Sequence, residues 1–167
     1  MSQGRSQPEK LREPKVHSVF EEIADLVLHR DAFRGLSGPW SGVVSKDDYP
    51  ACAVHFSPHL PMSAGLLPGQ DWFGLDGCAL QDFRFLLFLP DRRRALALAD
   101  LAEKLFEAHV FRFTGGLELI VICEDSHVME HDEHFIAVLR MVLYRRDGDR
   151  PVPKVVWVRG AKQIHMP

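Results

Sequence analysis

Three groups of residues have types and spacings that could support chemistry. Asp91-Arg92-Arg93-Arg94 sets three guanidinium groups behind a carboxylate, a pattern suited to an anion. Glu124-Asp125-Ser126-His127 puts two carboxylates beside a hydroxyl and an imidazole. His127, His131 and His134 fall at i, i+4 and i+7, which on a helix places three imidazoles on one face. Such a face could share zinc or another borderline metal, with Glu130, Cys123 or Glu124 as a further ligand. The bland alternatives are equally physical. Exposed arginines are simply solvated, acidic residues suit a helix start, and imidazoles at the rim of a core reach out to water.

The established catalytic templates fail on their required residues. The histidine spacing is not HExxH, and neither the Walker pattern nor GxGxxG occurs. A Cys–His nucleophile pair at Cys78 or Cys123 has no flanking signature. Trp72-Phe73 is different in kind. This aromatic pair sits in a stretch, 57–82, punctuated by Pro58, Pro61, Gly65, Pro68, Gly69, Gly74 and Gly77. Aromatic residues on a long loop are candidate anchors for a protein partner.

Positioning these groups falls to the periodic segments. Val19, Phe20, Ile23, Leu26 and Val27 form one helical stripe, opened by a Ser18/Glu21 capping box and closed by Gly35. Short strands are expected around Val43 and Val44 and at 51–56. Strand 83–89 is apolar on nearly both faces, and a helix follows from Asp91 to about His109. Val110–Phe113 reads as a short strand, Thr114-Gly115-Gly116 as a turn, and 117–123 as a second strand apolar on both faces. A helix is expected from about His127 to Arg146, burying Val128, Phe135, Leu139 and Val142, and Lys154–Val158 reads as a last strand.

That order is β-α-β-β-α-β, so the expected class is α+β, with a ferredoxin-like sheet in residues 83–158 preceded by a helix and short strands. The alternative is a doubly wound α/β fold with a parallel sheet. Both put strands 83–89 and 117–123 side by side and parallel, so that Arg92–Arg94 and Glu124–Asp125 would meet at their C-terminal ends. Because the central strands are apolar on both faces, the face away from those helices needs a cover: the N-terminal helix or a second subunit, as in a homodimer.

With 167 residues, 46% hydrophobic and 26% charged, the chain can bury a substantial core. Residues 1–14 read as a flexible polar tail and 15–167 as a single α/β domain. A net charge of −3 and a pI near 6.3 argue against nucleic acid as a partner, and no aromatics stand on strand 117–123 to stack bases. No apolar run approaches the roughly 20 residues that span a bilayer, so no membrane role is expected. Three scattered cysteines and a polar N-terminus point to a cytoplasmic location. The expected function is a small intracellular binding or regulatory protein that performs no catalysis, works through a protein–protein or ligand-binding surface and takes a protein partner. The alternative is a metal-dependent hydrolase or phosphoryl-transfer enzyme, with its site at the C-terminal ends of strands 83–89 and 117–123.

Overall fold

Val19, Ile23 and Val27 recur four residues apart and are all buried, which makes Val16–Leu28 an amphipathic helix, α1. It begins two residues before Ser18 and ends well before Gly35, a short 3-10 turn at Asp31–Phe33 taking up the interval. Gly35 follows at a φ of +89°, which a glycine adopts freely. The computed structural model describes residues 16–57, 79–113, 116, 118–146, 154–159 and 161–165. The tail 1–14, Trp72, Phe73 and Cys78 lie outside the described residues.

Among the described residues eight strands follow α1: β1 (Ser37–Trp40), β2 (Ala51–Phe56), β3 (Ala79–Leu89), β4 (Val110–Arg112), β5 (Glu118–His131), β6 (His134–Arg146), β7 (Lys154–Val158) and β8 (Ala161–His165). The second helix, α2 (Arg92–Glu107), joins β3 to β4. Asp91 caps it, its carboxylate accepting the Arg93 N–H at 3.1 Å. The class is mixed α+β. Six strands form one sheet in the order β1-β2-β3-β6-β5-β4, antiparallel except for β1 with β2, while β7 and β8 make a separate hairpin.

Several expectations are corrected here. Residues 127–146 are not a helix but the far half of β5, a two-residue turn and β6. The β-α-β-β-α-β order is replaced accordingly, and the doubly wound alternative fails because the sheet is almost wholly antiparallel. Strands β3 and β5 do run parallel, but β6 lies between them. The strand near Val43 is absent; Val43 is 98% exposed, and Ser37–Trp40 takes its place at the sheet edge. Proline is tolerated there because an edge strand can spare one N–H. Gly38 is required in that strand. Its φ is +100°, and a Cβ would stand 2.5 Å from the carbonyl oxygen of Cys52.

One face of the sheet carries the main core. Phe83, Phe85, Leu87 and Leu89 of β3, Leu139 and Met141 of β6, and Leu119 and Val121 of β5 pack against Leu98, Ala102 and Phe106 of α2. Phe106 meets Phe83 and Phe85 edge-on, with centroids 6.1 and 5.0 Å apart. Helix α1 joins this same cluster through Val19, Ile23 and Val27, so it does not cover the opposite face, as the sequence had suggested it could. On that opposite face Ile120, Ile122, Val142 and Tyr144 are buried, and Tyr49 stacks on Phe88 at 5.1 Å.

Candidate functional site

The far half of β5 is where the sheet's regular pairing and its charge part company. Up to Cys123 the strand alternates in the usual way: Leu119, Val121 and Cys123 enter the helical core, while Ile120 and Ile122 fill the other face. A bulge between Cys123 and Asp125 inserts Glu124 as an extra residue and shifts the alternation by one. Beyond it Val128 alone leans on the core, and Glu124 to His127 and Met129 to His131 are exposed. The inner side of this segment stays fully paired with β6, from Asp125 opposite Arg140 to His131 opposite His134. Its outer side has far less. Strand β4 covers only Glu118–Ile120, and at Cys123 the Glu107 carboxylate accepts the backbone N–H at 2.8 Å. The Cys123 thiol in turn donates to the Asp125 carbonyl at 3.4 Å. Among the described residues no strand pairs with the outer side after that.

A polar network anchors the bulge. The Tyr144 hydroxyl donates to Glu124 Oε1 at 2.5 Å. Arg140 reaches from Asp82, at 3.2 Å, toward Glu124, at 4.0 Å. Burial first, and the Glu124 carboxylate second, push the Tyr144 phenol well above its ordinary range. Asp82 is buried, and its Oδ1 has no hydrogen-bond partner. Its other oxygen is held by Arg140, which keeps the carboxylate compensated.

At the other end, Asp132 and Glu133 form the β5–β6 turn with φ of 49° and 64°. Two positive φ values are what a two-residue hairpin of matching twist demands. Lys46 clamps the turn, its ammonium 2.6 Å from Asp132 Oδ2. The hydrogen bond from Lys46, then its charge, hold the Asp132 carboxyl below the usual carboxylate range, and Asp132 raises Lys46 in return. His134 donates to the Asp132 carbonyl at 3.0 Å and sets its ring against Tyr49 at 4.8 Å.

The residues singled out from sequence are distributed as follows. Arg92 and Arg93 are exposed on the first turn of α2 and Arg94 is half-buried there. Asp125 is level with Arg84 in the sheet register, five residues before the end of β3 at Leu89. The end of β3, from which α2 and its arginines start, thus lies about 17 Å along the strands from the level of Asp125, so the two clusters do not meet at a shared strand end. His127 and His131, four residues apart on an extended strand, are separated by about 13 Å. Only His131 and His134 are direct neighbours, across the turn. Among the described residues no group of three or more histidine, cysteine, aspartate or glutamate side chains is placed to hold a metal ion.

Two features had no sequence signal strong enough to find them. One is the outer edge of β5, whose residues from His127 on carry a helical spacing. The other is an open groove of about 820 Å³ beside α1, lined by Glu21, Glu22, Asp25, His29, His109 and Phe113, where His109 meets Glu22 at 3.3 Å. Its acidic wall comes from the solvent side of α1, a pattern that any surface helix shows. Among the described residues no helix is long and apolar enough to cross a membrane. No family model, curated protein or solved structure matches the chain.

Proposed function

We propose that this chain is a binding protein without chemistry of its own, which docks a basic partner protein through the acidic outer half of β5. One observation carries the reading. Asp125 and Glu130 are exposed on a rigid paired strand, and among the described residues neither pairs with a lysine or arginine. His127 Nδ1 lies 3.5 Å from Asp125, and Arg140, opposite it in the ladder, is turned to Asp82 and Glu124. Exposed charge on a preformed surface steers and selects a partner of opposite sign. The competing reading, a metal-dependent hydrolase or phosphoryl-transfer enzyme, relies on Arg92–Arg94 converging with Glu124 and Asp125, and the separation of those clusters gives it no support.

The test uses a defined probe, a short peptide of alternating lysine and valine, against its glutamate counterpart. The lysine peptide binds the wild-type chain and binds less tightly as salt rises, and Asp125→Lys with Glu130→Lys lowers its affinity at least ~10-fold. Equal affinity of wild type and double variant would sink the proposal.

A further inference from the structure

We infer that the partner docks by strand addition, laying an extended basic segment along the outer edge of β5 from Asp125 to His131. This rests on the reading just given and assigns its mode. Every second residue of a strand presents its N–H and C=O to one side, and this stretch presents them to no described neighbour. The inner side is fully laddered to β6, β6 is laddered to β3, and Lys46 pins the turn, so the edge is already in strand geometry before anything binds. A preordered edge avoids the ordering cost that weakens flexible binding surfaces.

Natural edges are usually blunted by proline, lysine or a covering element. Residues 121–131 contain neither proline nor lysine, and their one irregularity, the bulge at Glu124, precedes the open stretch. What the edge does carry is negative charge, and that selects the occupant. A second copy of the same segment would bring two strands that each carry Glu124, Asp125 and Glu130, and no lysine or arginine, alongside each other, a like-charge encounter that disfavours self-association. A basic strand meets no such obstacle.

The side-chain pattern narrows it further. Asp125, His127 and Met129 lie on one face of the edge and Ser126, Val128 and Glu130 on the other, so acidic residues stand at the two ends with Val128 and Met129 as the apolar residues between them. The complementary segment has an apolar centre flanked by lysine or arginine.

The experiment compares three peptides with the same side chains, lysines flanking a valine-rich centre. One is unmodified; the other two are N-methylated at alternate backbone amides, each blocking one edge of the added strand. Binding is read by fluorescence anisotropy, and amide hydrogen exchange is followed at 125–131. The unmodified peptide binds and slows exchange there, and one methylated peptide loses at least ~10-fold in affinity while the other binds normally. If all three bind alike and exchange at 125–131 is unchanged, strand addition is overturned while the basic docking surface survives. If none binds, the docking surface fails and strand addition falls with it. Exchange at 125–131 that slows with protein concentration alone would make a second copy the occupant and overturn the assignment to a basic partner.

Discussion

Lys46 and Asp132 are both exposed, yet their pairing fixes how the β5–β6 turn meets the loop before β2. Asp132 titrates below its usual range, so its part of the strap is present above the unfolded carboxylate value and is lost as pH falls through the folded one. Lys46 is raised, so its part is present below the ordinary lysine value and is lost as pH rises through the folded value. In Lys46→Met the NMR titration midpoint of the Asp132 carboxyl should move up toward the free value; an unmoved midpoint would show that Lys46 is not the cause. Cys52 is sealed beneath the sheet, and burial pushes its thiol up to about 12. Iodoacetamide should therefore leave Cys52 unmodified in the native protein and label it once the chain is denatured, as peptide mass mapping would read. Tyr144 is raised too, so its contribution to stability holds below the usual phenol value and declines as pH rises beyond it. An absorbance titration should show one tyrosine that ionises only as the fold opens, a component absent from Tyr144→Phe.

Two elements depend on single residues in ways that denaturation can measure. Asp91→Ala removes the cap of α2 and should cost ~1 kcal/mol, with the urea midpoint falling and the slope unchanged. Gly38→Ala forces a Cβ against the Cys52 carbonyl at a φ of +100° and should cost ~1–3 kcal/mol or more; an unchanged midpoint would mean that β1 shifts freely. The strands and helix from 83 to 112 were legible in the sequence because their signals are local: unbroken apolar runs, then Asp91 as a cap, then a helical stripe; the first four residues of β3, 79–82, were not. Residues 127–146 misled for a physical reason. Both faces of β6 are largely covered, so its run from Phe135 to Tyr144 shows no alternation, and Val128, Phe135, Leu139 and Val142 happen to fall at helical intervals. The turn that separates the strands is Asp132-Glu133, without the asparagine or glycine that usually marks such hairpins. Beyond the bulge polar residues stand on both faces around Val128 and Met129, which blurs the strand period. The acidic character of 124–133 was readable; that it lies on an edge that no described strand covers was not, because edges belong to the tertiary arrangement.

Across the whole molecule, both helices pack on one face of the six-stranded sheet, and Phe106 sits where α2 meets β3. Phe106→Ala should cost ~3–5 kcal/mol, a large share of the ~5–15 kcal/mol that holds an ordinary domain together, and the urea midpoint should fall accordingly. The strand order has a further consequence for how the chain comes off the ribosome. Strand β6 is the last strand of the large sheet to be made, yet it is inserted between β3 and β5. From Leu89 to His134 is 45 positions, 134 minus 89. At a synthesis rate of ~5–20 residues per second, β3 waits about 2–9 s for the neighbour that completes its ladder. Through that interval Phe85, Leu87 and Leu89 lack their partners on β6, and the nascent chain offers an apolar strand with one open side. A chain paused before His134 is therefore a natural client for chaperones, and its dependence on them should end when Arg146 emerges and β6 slides home.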